Sequence, residues 1–420
     1  MHVIVAQKGA REHFLAARAL NQEGMLAALV TDWYATPMFR RIGGLMDWWI
    51  GGRGRSALAA QAEGIPDPLV QAMPLRSLWW KWRVRMAVRR GFLYDGYVQM
   101  DAAFARAIAR MKLPEHEVFF GYSYASLEML ETEKKRGVFT VLDQIDPGVV
   151  EFRLVAEEMT RHPEIAGPPP EFPTAYYERN RREWDLADII VVNSEWSREA
   201  IIVEGADPAK IEVLPLAFEV NAECGMRNAE CKDSKLSTFN SQPSTAPLRV
   251  LWLGQVNVRK GIHYLMAAAK LLEGENIHFD VVGPIGILPG AVASAPRNMT
   301  FHGPVSRDCA AEWYRQADVF VLPTLSDGFA LTQLEALAHG LPLIVTPNCG
   351  RVVEEGKTGF IIPSRDPQAL AEAILRFMRN RDLIHQMHPY CHEAVEAYSI
   401  KSYGERLKQL VEKHGSKSIS

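Results

Sequence analysis

The chain has 420 residues, 48% of them hydrophobic and 23% charged, and a formal net charge of −3 at pH 7. These values are ordinary for a globular protein of two or three domains, and the near-neutral charge argues against a nucleic-acid partner. The five scattered cysteines argue against a zinc site or a disulfide framework, and without a secretory signal or membrane span we expect a cytoplasmic protein, peripheral at most to the inner face of a membrane.

Short apolar strands alternate with helical patterns in the first half of the chain. The strand-like runs are HVIVAQ, MLAALVTD, EVFFGYSY, VFTVLDQID, ADIIVVNS and KIEVLPLAF. Continuous hydrophobic strands between helices are typical of a parallel sheet covered on both faces. We therefore predict an N-terminal Rossmann-like domain over residues 1–220.

Residues 76–90, RSLWWKWRVRMAVRR, combine three tryptophans with six cations. A basic segment with interfacial tryptophans is typical of contact with an anionic membrane surface. Basic and aromatic mixtures also bind single-stranded nucleic acid, which the net charge disfavours. The remaining alternative is a core helix whose tryptophans pack inward while its arginines face solvent.

A second alternating series follows a polar stretch rich in Ser, Thr and Asn at residues 221–247, which we interpret as a linker or exposed insertion. Its strands are LRVLWLGQ, IHFDVVG, MTFHGPV, DVFVLP, LPLIVT and TGFIIP, which predict a second Rossmann-like domain over 248–398. Residues 399–420 form a final helix that packs back on the N-terminal domain in one interpretation. The predicted fold is α/β, with two parallel sheets facing each other across a cleft where ligands bind.

The loop LGQVNVRKG follows the first strand of the second series. It places Arg259 and Lys260 between Gly254 and a helix that begins after Gly261. Cations beside a helix N-terminus suit a phosphate or diphosphate, although the spacing is neither a Walker loop nor G-x-G-x-x-G. A solvated turn with outward-pointing cations explains the motif equally well.

The segment SDGFALTQLEALAHGLP carries two acids, Asp327 and Glu335, around the start of a helix. One structural explanation is a capping box with Thr332 as N-cap and Glu335 at the third helical position. That explanation leaves Asp327 and Gly328 unaccounted for. Gly328 allows close approach of a ligand, and the amides of residues 329–332 point toward the positive end of the helix.

This segment resembles the signature of glycosyltransferase family 4 (glycosyl transferases group 1), retaining enzymes of the GT-B fold. The matching residues are Asp327, Gly328, Phe329, Leu331, Glu335, Ala336, Gly340 and Pro342. The resemblance implies that Asp327 contacts the donor sugar and that Glu335 contacts the ribose of the nucleotide. It also implies that the sugar and diphosphate are held by the amides of Phe329, Ala330, Leu331 and Thr332.

The resemblance extends to the loop LGQVNVRKG and to the strand that follows it. Lys260 matches the diphosphate-binding lysine of the family, whereas Gln255 stands where arginine is usual. Arg259 is then the candidate for the missing charge. Gly254 and Gly283, at the ends of two successive strands, complete the predicted donor site.

The resemblance implies a retaining transfer of sugar from a nucleotide-diphosphate sugar to a glycan, lipid-linked or small-molecule acceptor, as in polysaccharide or cell-envelope synthesis. The donor is a co-substrate, and we expect no cofactor and no metal, because no D-x-D pair is present. Two alternatives stay open: a GT-B nucleotide-sugar epimerase, and a non-catalytic nucleotide-sugar-binding module.

The N-terminal half is expected to hold the acceptor. Its candidates are Lys8, Gly9 and Arg11, with His13 nearby, although a solvated helix start accounts for these residues equally well. Asp143 ends a strand where this family often has a catalytic histidine, so we group it with Asp327 and Lys260 as catalytic. Gln144 and Asp146 are alternatives to Asp143, and strand ends also carry Asp simply as a turn former.

Overall fold

The computed structural model describes residues 1–34, 64–89, 92–219 and 246–418. Within these residues, thirteen strands form two sheets, and every strand pairing is parallel. The first sheet contains β1 (Val3–Gln7), β2 (Leu26–Thr31), β3 (Val70–Ala72), β4 (Val118–Tyr122), β5 (Phe139–Gln144), β6 (Ile189–Val192) and β7 (Ile211–Val213). The second contains β8 (Leu248–Leu253), β9 (Ile277–Val282), β10 (Met299–Gly303), β11 (Val319–Leu322), β12 (Leu343–Val345) and β13 (Gly359–Ile361).

The strand order in each sheet is that of a doubly wound fold. The order is β3-β2-β1-β4-β5-β6-β7 in the first sheet and β10-β9-β8-β11-β12-β13 in the second. Every residue of β1 and of β11 is buried, because helices cover both faces of each sheet. The predicted α/β fold with two parallel sheets is confirmed, and β3, a short edge strand, is the one strand in the described residues that the sequence analysis missed.

The helices lie between the strands and cover the sheets. Those of the N-terminal half are α1 (Leu15–Gln22), α2 (Pro74–Arg89), α3 (Leu93–Ala109), α4 (Leu127–Lys135), α5 (Gly148–Arg161), α6 (Pro163–Ala166), α7 (Thr174–Leu186) and α8 (Glu195–Val203). Those that follow are α9 (Ile262–Leu271), α10 (Pro289–Ala293), α11 (Arg307–Gln316), α12 (Leu331–Ala338), α13 (Pro367–Arg379), α14 (Asp382–Glu396) and α15 (Ile400–Ser418). In the part of the chain that the structure describes, no helix is both long enough and apolar enough to cross a bilayer.

Helix α15 returns to the first sheet and packs against α1. A Cβ atom added to Gly404 would lie 3.5 Å from the Cβ of Ala19, so the two helices touch closely. An ion pair of 3.2 Å between Lys408 and Glu23 joins the same surfaces. The interpretation of residues 221–247 as a linker lies outside the described residues, except for positions 246 and 247.

Helix α2 contains most of the tryptophan-rich basic segment. Trp80 is buried, whereas Trp79 and Trp82 are 53% and 59% exposed. The core-helix interpretation is therefore wrong for two of the three tryptophans, because only one of them faces the neighbouring helix α3.

The cysteines depart in part from the sequence-based expectation. Among the described residues, Cys349 and Cys391 are buried and free, and burial raises the pKa of both thiols to about 12. Cys309 is disulfide-bonded, so the expectation of no disulfide is wrong at this residue.

Candidate active site

The carboxyl ends of strands from the two sheets meet at Gly328, in the loop after β11. A Cβ atom on Gly328 would lie 2.7 Å from the side-chain nitrogen of Asn193 and 3.2 Å from the carbonyl oxygen of Ile145. Asn193 directly follows β6 and Ile145 directly follows β5, both in the first sheet. Because residue 328 has no side chain, Asn193 and Ile145 of the N-terminal half can pack directly against it. The sequence had suggested only the approach of a ligand.

The loop of residues 254–261, which carries Arg259 and Lys260 and is called the cation loop, follows β8 and lies beside the end of β9. A Cβ atom on Gly283 would lie 1.7 Å from the carbonyl oxygen of Gly254, so backbone packing alone requires glycine at position 283. Gln255 is exposed. The close packing of these two glycines places the loop at the carboxyl edge of the sheet, and their contact with a donor stays a prediction.

Hydrogen bonds tie this loop to the end of β11. The carbonyl oxygen of Arg259 accepts from the backbone N–H of Leu325 at 2.9 Å and from the hydroxyl of Thr324 at 3.0 Å. The side chain of Asn257 accepts from the N–H of Lys260 at 3.0 Å. The two cations are therefore carried by a loop that is held in place, which argues against the solvated-turn interpretation.

Three of the predicted site residues come together where this loop meets the segment after β11. Lys260 forms an ion pair with Asp327, and a guanidinium nitrogen of Arg259 lies 3.4 Å from the other carboxylate oxygen of Asp327. Burial and the adjacent Arg259 charge lower the pKa of Lys260 to about 7. Cys349 and Glu151 oppose this shift, as a bound phosphate would, because a nearby anion favours the ammonium form.

Glu151, on α5, approaches the same cations from the N-terminal half, and the sequence analysis missed it. Its carboxylate lies 3.5 Å from a guanidinium nitrogen of Arg259 and accepts from the hydroxyl of Ser326 at 2.9 Å. The indole N–H of Trp196, on α8, donates to the same hydroxyl oxygen at 2.9 Å. Burial raises the pKa of Glu151, and Arg259 opposes this shift. No local motif marks Glu151 because its partners belong to the other sheet.

The start of α12 differs from the predicted capping box. The N-cap residue is Ala330, no side chain caps the helix, and Leu331 is its first residue. Glu335 therefore lies more than one turn inside the helix and cannot reach the N-cap amide. The capping-box interpretation is wrong.

The amides predicted to hold the donor are only partly available. The N–H of Ala330 already donates to the carbonyl oxygen of Cys349 at 3.0 Å. Within the described residues, no acceptor takes the N–H groups of Phe329, Leu331 or Thr332. The Phe329 ring is itself buried. Three of the four predicted amide donors thus remain at the positive end of α12.

Glu335 has a specific partner that fixes its carboxylate. It accepts a hydrogen bond of 2.7 Å from the hydroxyl of Tyr314, a buried residue of α11. The ring of Tyr314 stacks on His339, with centroids 5.1 Å apart. Glu335 itself is half-buried, so part of its side chain is accessible to solvent. Tyr314 carried no signal in the sequence.

Asp143 lies apart from the Lys260–Asp327 pair. It is buried at the end of β5, and burial raises the pKa of its carboxyl group well above the usual value, with a further contribution from the charge of Glu12. The charge of Arg11 opposes this shift. Asp143 is therefore grouped with the loop after β1.

The two alternatives to Asp143 also have partners in the N-terminal half. Gln144 accepts from the indole N–H of Trp184 at 2.8 Å, which makes it a core residue. Asp146 accepts from the hydroxyl of Tyr124 at 2.8 Å, and its charge contributes to the raised pKa of Glu151. Of the three polar candidates at this strand end, Asp146 is the one linked to the cation loop.

The predicted acceptor residues are also engaged. Lys8 forms an ion pair with Asp101, and the N–H of Gly9 donates to the carboxylate of Asp32 at 2.6 Å. Arg11 is exposed. Lys8 is thus not a free cation, and an acceptor would have to displace Asp101 to use it.

Comparison with known proteins bears on this grouping of residues. Residues 247–380, which contain the cation loop and α12, match the family model described as "Glycosyl transferases group 1". D-inositol 3-phosphate glycosyltransferase 2 of Catenulispora acidiphila is 27% identical over 243 residues, 53% of this chain and 55% of that protein. D-inositol 3-phosphate glycosyltransferase of Corynebacterium urealyticum is 28% identical over 247 residues, 54% of this chain and 57% of that protein. The chain thus spans about half the length of these curated relatives.

Solved structures share the architecture across nearly the whole chain. Sucrose-phosphate synthase from Thermosynechococcus elongatus superposes with a TM-score of 0.60 at 18% identity and covers 98% of both chains. Anabaena Alr3699/HepE, in complex with UDP, superposes with a TM-score of 0.60 at 13% identity and covers 98% of this chain and 100% of its own. At such low identity these likenesses establish the fold and nothing further. Residues 247–380 therefore resemble the glycosyl transferases group 1 family, and the chain as a whole has the GT-B fold.

Proposed function

We propose that the protein is a retaining glycosyltransferase that takes its sugar from a nucleotide-diphosphate sugar. The observation that carries the proposal is the grouping of Lys260, Arg259 and Asp327 beside the N-terminus of α12. Glu335 lies one turn further along that helix. An elongated donor has its diphosphate, sugar and ribose at different positions along such a site.

The chemistry follows from the charge that develops during transfer. When the bond between the anomeric carbon and the diphosphate oxygen breaks, negative charge grows on the departing diphosphate. Lys260, Arg259 and the free amides of α12 would stabilise that charge. In a retaining transfer the acceptor hydroxyl bonds to the same face of the anomeric carbon and gives its proton to the leaving phosphate. The donor acts as co-substrate, and the chain's own cations neutralise the charge.

The ion pair between Asp327 and Lys260 suits the same proposal. An incoming diphosphate would replace Asp327 as the partner of Lys260. Asp327 would then be released toward the sugar hydroxyls. Glu151 keeps a second contact with Arg259, so the cation loop is never left without a counter-charge.

The comparisons suggest which substrates to test first. Anabaena Alr3699/HepE was solved with UDP and with UDP-glucose, which favours uridine donors for a first panel. The curated relatives are named for D-inositol 3-phosphate, so inositol phosphates belong in the acceptor panel beside glycans and lipid-linked sugars. We propose a cytoplasmic role in polysaccharide or cell-envelope synthesis.

A thermal-shift screen against nucleotide-diphosphate sugars tests the donor site. A ligand present at about 100 times its Kd stabilises the folded state by about 2.7 kcal/mol, so the true donor should raise Tm by several degrees. The shift should be absent in Lys260→Ala and retained in Lys270→Ala, which removes an exposed lysine elsewhere.

Product analysis then separates the possible activities. Transfer requires both donor and acceptor, and the sugar should appear on the acceptor with its anomeric configuration kept. A changed sugar nucleotide formed without acceptor would indicate an epimerase instead. Donor binding without turnover on the full acceptor panel would indicate a binding module.

We also propose that helix α2 contacts an anionic membrane surface. Leu75, Leu78, Trp79 and Trp82 are all exposed and follow the i, i+3, i+4, i+7 spacing of one helix face. Arg83 lies over the Trp79 ring, 4.9 Å from its centroid, so cations flank the apolar stripe. An apolar face bordered by cations matches the acyl and phosphate layers of a lipid surface.

Co-sedimentation with liposomes that contain phosphatidylglycerol tests this surface. We expect Arg83→Glu/Arg85→Glu to reduce pelleting at least about fivefold, because each basic residue at the surface is worth roughly 1 kcal/mol. Trp79→Ser/Trp82→Ser should also reduce pelleting, because it removes two apolar side chains from the proposed lipid-facing stripe. The matched control is Arg379→Glu/Lys401→Glu, which makes the same charge change at exposed positions on other helices. Equal pelleting of all these proteins would refute membrane contact through α2.

A further inference from the structure

A second cluster of reactive side chains lies where the two halves pack together, outside the cation loop. Glu158 is on α5, His162 directly follows α5, and His263 is on α9, so both halves contribute. One ligand atom from each residue lies within 4.8 Å of the other two. The transfer proposed above uses none of them.

The distances in this cluster suit a small tetrahedral cation. A carboxylate oxygen of Glu158 lies 3.3 Å from Nε2 of His263 and 3.9 Å from Nε2 of His162. Zinc bonds of about 2.0–2.1 Å in a tetrahedron place neighbouring ligand atoms about 3.3 Å apart. The Glu158–His263 separation already has this value, and the Glu158–His162 separation exceeds it by about 0.6 Å. The third separation, between ring nitrogens of the two histidines, is at most 4.8 Å and closes by movement of His162. The His162 side chain is 37% exposed, which gives it room to move and gives an ion a path to the site.

The surroundings of Glu158 leave one carboxylate oxygen directed at the histidines. Its other oxygen accepts from Arg365 at 3.0 Å and from Arg161 at 3.3 Å. Carboxylates that bind metals are commonly held by such outer hydrogen bonds. The hydroxyl of Tyr264 donates to the inner oxygen at 2.5 Å, and a water molecule would supply the fourth ligand of an ion at this site.

The net charge and the state of the histidines are compatible with a cation. Glu157 and Glu164 add two negative charges beside the cluster and offset the two arginines. His263 is buried, and its Nδ1 has no hydrogen-bond partner in the described residues.

We propose that Glu158, His162 and His263 bind one Zn²⁺ ion that joins α5 of the N-terminal half to α9 of the C-terminal half. Glu151, which contacts Arg259 of the cation loop, lies about two turns before Glu158 on α5, roughly 10 Å along the helix axis. The ion therefore holds the helix that carries Glu151 against the domain that carries Lys260. Its role is structural, and it takes no part in the chemistry of transfer.

Calorimetric titration of the chelator-treated, dialysed protein with ZnCl2 tests this site. We expect one Zn²⁺ per chain and a rise in Tm on zinc addition. His263→Ala and His162→Ala should each weaken binding at least about tenfold. The matched control, His385→Ala, removes an exposed histidine elsewhere and should leave both values unchanged.

A second readout keeps the test valid if His263→Ala folds poorly. His162 is partly exposed, so His162→Ala should fold normally, and Co²⁺ in the wild-type protein should show the visible absorption of tetrahedral coordination, which this variant should lose. Absence of stoichiometric binding, or equal zinc affinity in wild type and both ligand variants, would overturn the proposal. These readouts need no nucleotide sugar, so they stand apart from the test of transfer.

Discussion

Lys260→Ala is expected to reduce kcat for sugar transfer by about 10²- to 10³-fold, the effect of removing one preorganised donor from a developing anion. Lys260 already lies at the N-terminus of α12, paired with Asp327. Steady-state transfer assays should show this loss, while Lys270→Ala, at an exposed lysine on α9, keeps normal turnover. A Lys260→Ala enzyme within about twofold of wild type would remove the lysine from the mechanism.

The substitution also leaves Asp327 without its closest partner, so its effect on stability needs a separate control. Asp327→Asn/Lys260→Ala removes both charges and should restore most of any lost Tm without restoring turnover. Asp327→Asn alone frees Lys260 and should tighten binding of the nucleoside diphosphate while slowing transfer. A turnover loss in Lys260→Ala that is recovered in the double variant would show that misfolding, and not lost charge, was the cause.

Glu335→Ala is expected to weaken donor binding by about 10- to 150-fold, because a hydrogen bond to a charged group is worth about 1.5–3 kcal/mol. If the carboxylate holds the ribose, the loss should appear in the Kd for the free nucleoside diphosphate, which contains the ribose but no sugar. Glu335→Gln keeps an acceptor for Tyr314 and should retain the wild-type Tm. Calorimetric titration and thermal unfolding of the two variants measure these effects.

A purely structural role for Glu335 gives a different result in a double-mutant cycle. Tyr314→Phe removes the hydroxyl that Glu335 holds, so Glu335→Ala in that background can no longer act through Tyr314. We expect the donor-binding loss to persist in the Tyr314→Phe background. Disappearance of the loss there would mean that Glu335 serves only to hold Tyr314.

Much of the fold could be predicted from local pattern. Short apolar runs such as HVIVAQ and DVFVLP gave strands β1 and β11 because strands buried on both faces are continuously hydrophobic. The edge strand β3 was not predicted, because its three residues are only partly buried and do not form a continuous apolar run. The spacing of Asp327 and Glu335 carried the resemblance to glycosyl transferases group 1 because it is a property of one loop and one helix.

The helix start shows where local pattern misleads. Thr332 and Glu335 have the spacing of a capping box, yet α12 begins at Leu331 and Glu335 bonds to Tyr314. Capping preference amounts to about 1 kcal/mol, and packing of the preceding loop can outweigh it. The N–H of Ala330 is in fact held by the carbonyl oxygen of Cys349, which is distant in sequence.

The sequence by itself determined the two parallel sheets, the resemblance of residues 247–380 to glycosyl transferases group 1 and the residues of the cation loop. Hydrophobic periodicity, loop spacing and residue type are all local properties of the chain. Only the tertiary structure decided which residues of the two halves contact each other. These pairs are Glu151 and Arg259, Asn193 and Gly328, and Glu158 and His263. These pairs join opposite halves of the chain and leave no periodic trace. Their contacts depend on how the two sheets pack, and that packing is set by many side chains acting together.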